Sequence, residues 1–343
     1  MKYSGIGGQA VIEGVMMKNK DNYAVAVRKP DGTIEIKKDK CKSTESRPKF
    51  LSFPFIRGVV NFIDSMVLGM STLSFSSSFY DDEEDEKAKD KKPKTAEQKK
   101  KSEDAFNVIS IILAILMAVG LFMVAPYLVS HFLIAMVIKS QTLLTLFEGL
   151  LRLLFFIIYV VLISLMKDIR RVYMYHGAEH KCINCLEHGM ELTVENVRKS
   201  SKEHKRCGTS FLLIIMCLSI VIMMVVRFDS RLINFVVRLA LIPVIAGISY
   251  EFLRLAGKYD NPFMNFLSKP GLLLQGLTTK EPDDDMIEVG IASVEAIFDW
   301  KQYLKENFGV ESDKMTDDAV ADIHEGAKAD SQGGVEDDIQ ADS

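Results

Sequence analysis

Two imidazoles four residues apart, with a carboxylate between them, are the residues of this chain best placed to do chemistry: His176, Glu179 and His180. On a helix, side chains at i and i+4 share one face one turn apart, so both rings can grip one cation. Neutral imidazole binds zinc well, and the order His-x-x-Glu-His matches the inverted zincin pattern. Zinc held there would polarise a peptide or ester carbonyl while Glu179 takes a proton from the attacking water. A divalent metal ion, zinc by preference, is therefore the expected cofactor. The competing reading is a surface helix with unrelated histidines.

The remaining ligands are open. Glu251, 71 residues after His180, falls at the end of the fourth apolar run, on the same predicted membrane face as the motif. A His176, His180 and Glu251 set would leave a position for water. His204 is the candidate proton donor to the leaving group. Against this, Cys182, Cys185, His204 and Cys207 read as Cys-x2-Cys…His-x2-Cys, a spacing suited to a closed structural zinc. A mixed site would join His176 and His180 to His204 or Cys207. In the plainest reading, Cys207 to Ser210 merely starts a helix, with Thr209 or Ser210 satisfying exposed amides.

Four apolar runs must position these groups: 105–138, 142–166, 208–226 and 232–253, the last interrupted by Arg238 and Pro243. Each is long enough to cross a bilayer core, and Pro126 is expected to bend or end the first. Residues 53–79 are apolar but broken by Arg57, Asn61 and Asp64, which suits an interfacial or bundle-packed helix better than a fifth span. Lys99 to Lys101, Lys167, Arg170, Arg171, Lys199, Lys202, Lys205 and Arg206 flank the runs so that both termini and the 167–207 loop fall in the cytoplasm. The expected fold is mainly α: a polytopic helical protein of the cell membrane with about four transmembrane helices and a small β-containing N-terminal part. Glu148 and Arg152, four apart in the second run, should neutralise one another, and they keep a transport reading open.

Outside the runs, residues 22–39 alternate and turn at Pro30-Asp31-Gly32, as a hairpin does. Before them come Gly5, Gly7, Gly8 and Gly14. These are either a flexible turn ahead of a strand or backbone pressed against a ligand or the metal centre, with Glu13 contributing. They do not form a phosphate-binding loop. Segment 81–104 mixes ten acids with eight bases, and 311–343 carries eleven acids and two bases, so neither can bury itself. The parts are then an N-terminal strand region at 1–50, the 53–80 helix, the charged linker at 81–104, and a transmembrane hairpin at 105–166. The metal-binding loop at 167–207 follows, then a second hairpin at 208–253, a cytosolic amphipathic region at 254–310 and the disordered tail at 311–343. A net charge of −4 gives no reason to expect nucleic acid. Five cysteines and no cleavable signal suit reduced thiols in the cytosol. The expected partners are membrane lipids and a membrane-protein segment or lipid-derived substrate.

Four blocks carry a resemblance: Gly7 to Met17 (GGQAVIEGVMM), Tyr175 to Lys181 (YHGAEHK), His204 to Phe211 (HKRCGTSF) and Thr278 to Asp284 (TTKEPDD). They resemble the bacterial YqhQ-type family of uncharacterised membrane proteins, over about residues 4 to 306. That family is described as predicted metal-dependent enzymes, so the resemblance implies a metal role for His176, Glu179 and His180 and no substrate. The Cys182/Cys185 pair is not part of the family pattern, which weighs against the four-ligand zinc. The leading expectation is a metal-dependent membrane hydrolase. The alternative is a noncatalytic scaffold or regulator with a structural metal or thiol site.

Overall fold

The computed structural model describes residues 2–41, 51, 53, 56–80, 109, 112–114, 116–134, 136–226, 231–258 and 262–310. The charged linker at 81–104 and the acidic tail at 311–343 lie outside the described residues. Within them the chain is mostly helical, with one small N-terminal antiparallel sheet and four helices long and apolar enough to cross a membrane.

Strands β1 (Ile6–Val11), β2 (Gly14–Asn19), β3 (Asn22–Arg28) and β4 (Ile34–Lys40) form a meander in that order. The first two turns hold Glu13 and Lys20 at positive φ, 49° and 53°, the twist that tight hairpins require. The turn expected at Pro30-Asp31-Gly32 joins β3 to β4, and Lys29 N donates to Thr33 O across it at 2.8 Å. Side chains alternate between the two sheet faces. Val11, Met16, Tyr23, Val25 and Val27 fill one face, and Ile6, Val15, Met17 and Ala26 the other.

The helices are α1 (Ile56–Ser77), α2 (Ile112–Phe132), α3 (Gln141–Ser164), α4 (Lys167–Glu187), α5 (Val194–Lys199), α6 (Gly208–Val225), α7 (Arg231–Lys258), α8 (Pro262–Thr278), α9 (Asp284–Glu295) and α10 (Trp300–Phe308). The four of membrane-crossing length and composition are α1, α2, α3 and α6. The expected runs 105–138, 142–166 and 208–226 correspond to α2, α3 and α6, and α1 joins them; the expected 232–253 run lies in α7, 28 residues long with Pro243 inside it. Helix α1 is apolar enough, yet its second half is spent on the sheet. Leu68 and Phe75, with Phe79 and Tyr80 just beyond the helix, cover the face of Val25 and Val27, and Ser76 Oγ accepts from Ile12 N at 3.1 Å. Its first half lies along α7, where Arg57 donates to Glu251 at 2.6 Å and Asn61 to the Tyr250 hydroxyl at 2.7 Å. Thus α1 ties the apolar helices to the sheet.

Pro126 opens a short α-helical turn flanked by two π-helical turns, Gly120–Val124 and Ser130–Ile134. The wider spiral is where a missing backbone donor is accommodated without ending the helix. In α3, Arg152 reaches Glu148 at 3.2 Å, the expected one-turn pair, and also donates through Nε to Phe122 O at 3.0 Å. A single stalk from this helix past Arg171 does not form. Met166 is extended (φ −70°, ψ 133°), and the polar start Lys167-Asp168 begins α4 as a separate helix.

Helix α4 is the buried centre of the polar part. Tyr175, Ala178, Cys182, Ile183, Cys185 and Leu186 share one core with the sheet, Ile287 and Val289 of α9, and Trp300 and Leu304 of α10. The connection after α8 runs close along it: Lys280 N donates to Tyr173 O at 2.9 Å. A Cβ at Gly177 would stand 2.0 Å from Lys280 O. Only a glycine lets this backbone approach.

Gly177→Ala is therefore expected to push residues 278–282 off α4 and destabilise the protein by about 1–3 kcal/mol, the usual penalty of overpacking. Thermal unfolding of the detergent-solubilised protein measures it, and an unchanged midpoint would mean that the contact gives way freely.

Candidate metal centre

His176, His180 and Cys207 meet, each offering one ligand atom, with all of these atoms within 4.8 Å of one another. The rings meet edge to face one helical turn apart, centroids 4.4 Å, as the spacing requires. His176 Nδ1 lies 2.9 Å from Thr278 O, and His180 Nδ1 lies 2.6 Å from Lys202 O. A carbonyl oxygen can only accept, so each Nδ1 carries its proton and each neutral ring turns an Nε2 lone pair to the other side. On that side Cys207 Sγ is 3.3 Å from His176 Nε2. The donor set fits a borderline-soft divalent ion such as zinc: two imidazole nitrogens, one sulfur, and backbone carbonyls behind both rings fixing their orientation.

Each of these positions has a local cause. Cys207 is the N-cap of α6, with backbone φ −76° and ψ 144°, and its sulfur accepts from Thr209 N. Ser210 does not cap the helix; its hydroxyl accepts instead from Gln275 Nε2 of α8 at 3.0 Å. The carbonyl behind His180 belongs to a loop sewn to α4 by two side chains about one turn apart. Lys181 Nζ donates to Arg198 O and Ser200 O, both at 2.9 Å, and Asn184 donates to Ser201 O at 2.6 Å and Glu203 O at 2.9 Å. Lys181 is buried, and its charge is matched by Glu281 at 2.9 Å.

Glu179 is 4 % exposed. One carboxylate oxygen stands 3.7 Å from His176 Nε2 and 3.9 Å from His180 Nε2. Burial pushes its carboxyl up to about 7, against the opposing influence of His176 and the Gly8 amide. The glycine-rich strand supplies that amide. A Cβ on Gly8 would meet Glu179 Cγ at 2.7 Å, so of the two readings of this strand the close backbone approach describes Gly8. Glu13 stays away from the centre and pairs with Arg171 and the Tyr175 hydroxyl.

Glu251 is not brought to the cluster. Its carboxylate is engaged by Arg57, with Arg254 3.6 Å away, so a cation on α1 holds it where the sequence reading placed a metal. Cys182 and Cys185 do not join Cys207 either. Both are buried in the α4 core, and Cys185 donates to Glu191 O at 3.3 Å. His204 packs beside His180, ring centroids 5.6 Å apart, but its Nε2 is turned to Arg206 at 3.1 Å and Glu187 at 3.8 Å. That orientation makes it part of a buried ionic network rather than a donor to a leaving group.

The network was not visible in the sequence. Glu187 is fully buried and accepts from Ser4 N at 3.0 Å, Ser4 Oγ at 2.9 Å and the Arg206 guanidinium. Burial alone would raise its carboxyl; His204, Arg206 and the Ser4 amide more than reverse this and hold it at about 2. Gln275, also fully buried, accepts from His204 N at 3.0 Å and donates to His204 O at 2.6 Å. It clamps the loop that presents Cys207. A lone amide in the apolar run of α8 was the available sign.

The chain belongs to a family described as a protein of unknown function (DUF1385), matched over residues 53–300. It is 37 % identical to the uncharacterised protein YqhQ of Bacillus subtilis (strain 168) over 295 residues, 84 % of this chain and 90 % of the relative. No solved structure matches it.

The Glu187 network carries a pH dependence of definite sign. Its folded carboxyl lies below the ordinary 4.5, so the stabilisation is present above 4.5 and is lost as pH falls toward 2. Roughly 3 kcal/mol of wild-type stability should disappear across that window. Unfolding curves at pH 6 and pH 3 should show about 2 kcal/mol of it, and Glu187→Gln should remove most of the difference; an unaltered pH slope in that variant would assign the loss to other groups.

Proposed function

We propose that this protein is a metal-dependent hydrolase of the cell membrane, multi-pass, with both termini and the catalytic centre on the cytoplasmic side. His176, His180 and Cys207 hold a divalent cation, zinc in the first place, and Glu179 is the proton acceptor. The observation that carries this reading is the position of Glu179: buried, with one carboxylate oxygen beside both inward imidazole nitrogens. A carboxylate held there is within reach of a water on the cation and can take and return its proton. A bound divalent cation supplies Lewis acidity at an electrophilic carbonyl and makes water in its reach more acidic.

Glu179 takes the proton of the attacking water while the water oxygen bonds to the carbonyl carbon. The same proton then passes to the departing nitrogen or oxygen as its bond to carbon breaks. His204, Arg206, Glu187 and Gln275 do not touch the reacting atoms; they fix the loop that carries Cys207. The basic residues Lys167, Arg170, Arg171, Lys199, Lys202, Lys205 and Arg206 around the centre support its cytoplasmic placement. Cys207 caps an apolar helix of membrane-crossing length, which favours a substrate held at the interface, a membrane-protein segment or a lipid-derived ester.

Zinc stoichiometry of the detergent-purified protein tests the ligands. His176→Ala, His180→Ala and Cys207→Ala should each lose most of the metal, whereas Glu251→Ala should keep it; metal content indifferent to all of them would reject the set. Glu179→Gln should retain zinc and lose about 100-fold or more in turnover of fluorogenic peptides or esters. Full turnover in that variant removes Glu179 from the chemistry.

A further inference from the structure

We infer that the outer edge of β1 binds an extended polypeptide, laid alongside it as an added strand next to Glu179. The inference rests on the hydrolase reading for what happens to the bound chain, and it narrows the substrate class to polypeptide.

The two ends of the sheet differ. The outer strand β4 is guarded by charge, with Lys37, Lys38, Asp39 and Lys40 all exposed, the usual means of stopping strands from adding to an edge. The other outer strand, β1, reads Ile6-Gly7-Gly8-Gln9-Ala10-Val11, with neither a charge nor a proline. Among the described residues it pairs with β2 and with no other strand. An unguarded edge is costly to keep because it invites aggregation, so its retention beside a candidate catalytic group calls for a use.

The edge is accessible where it passes that group. Gly8 is exposed, although a Cβ there would meet Glu179. Gly7 is exposed too, and a Cβ there would meet nothing within 4 Å. The amides of Ile6 and Gly8 turn away from β2 and already donate to Ser4 Oγ (3.2 Å) and the Glu179 carboxyl, so an added chain would pair mainly with the outward carbonyls and the Ala10 amide. By the alternation of a ladder the amide of Ala10 and the carbonyls of Ile6, Gly8 and Ala10 share that outward direction. A chain added there would lie about 4.8 Å from β1, bringing its peptide carbonyls past the carboxyl that Gly8 touches. Main-chain hydrogen bonds would give affinity with little demand on sequence. Helix α1, whose Gly69 meets the Gln9 side chain, exposes Met66 and Met70 beside that contact. Their flexible apolar surface suits a hydrophobic segment of varied sequence.

The test uses full-length protein in detergent and a fluorescent peptide of about ten alternating Val and Thr residues. Two further versions carry N-methyl groups on alternate amides, one in each frame. Anisotropy should show the parent peptide binding, with at least about tenfold weaker binding for the frame whose methyl groups face β1. Gly7→Lys has room for its side chain and should weaken the parent by a similar factor, with zinc content and thermal midpoint unchanged. Equal binding of all three peptides, or no effect of Gly7→Lys, overturns the inference. So does a wild-type dimer that Gly7→Lys dissolves without any peptide binding, since the edge would then serve a second copy. The two readings fail separately: zinc-replete protein that binds no peptide rejects the strand site alone, and peptide binding to protein that never takes up zinc rejects the metal centre alone.

Discussion

Two backbone carbonyls, those of Thr278 and Lys202, set the chemistry of this molecule. Each receives the Nδ1 proton of a histidine on α4, at 2.9 and 2.6 Å, and so forces the opposite nitrogen of each ring to present a lone pair toward Cys207 and Glu179. Imidazoles free to rotate would pay for their alignment on binding a cation; these are aligned in advance. The carbonyls are held in turn. Thr278 O stands where it does because Gly177 admits Lys280 against α4, and Lys202 O because Lys181 and Asn184 of the same helix bind the carbonyls on either side of it. One helix therefore carries both histidines and the residues that place the groups orienting them.

The same helix separates two carboxyls by environment. Glu179 and Glu187 are both buried, two turns apart, yet one is raised to about 7 and the other held at about 2. Glu179 has the His176 imidazole and one strand amide to favour its charged form, too little to offset the loss of water. Glu187 has a guanidinium, an amide, a hydroxyl and an imidazole. Environment alone leaves one carboxyl with a raised proton affinity beside the histidines and makes the other an anchor for the N-terminal residues and the His204 loop.

The centre sits on a seam between an apolar bundle and a polar domain. Cys207 belongs to the first turn of α6, Gln275 and Thr278 to the end of α8, and the histidines to a helix that begins only after the apolar run of α3 has stopped at Ser164. Helix α1 crosses the seam, with Arg57 on α7 at one end and Ser76 on the sheet at the other. A displacement of the sheet relative to the bundle would move Gly8 against Glu179 while leaving the ligands on α4 in place.

Much was legible from spacing alone. His176 and His180 share a face because 3.6 residues make a turn, Glu148 finds Arg152 for the same reason, and Pro30-Asp31-Gly32 turns a hairpin wherever it stands between strands. These are local consequences of backbone geometry, and no distant residue is needed to predict them. The third member of the cluster was not legible in that way. Glu251 and Cys207 were both reasonable by topology and residue type. The choice turned on Arg57, nearly two hundred positions from Glu251, which occupies the carboxylate, and on the start of α6 lying against α4. His204 likewise met Arg206 and Glu187 instead of open space. Periodicity fixes which side chains leave a helix on one face; which of them face each other across the fold depends on packing and on where every charge finds its partner, and only the assembled chain supplies that.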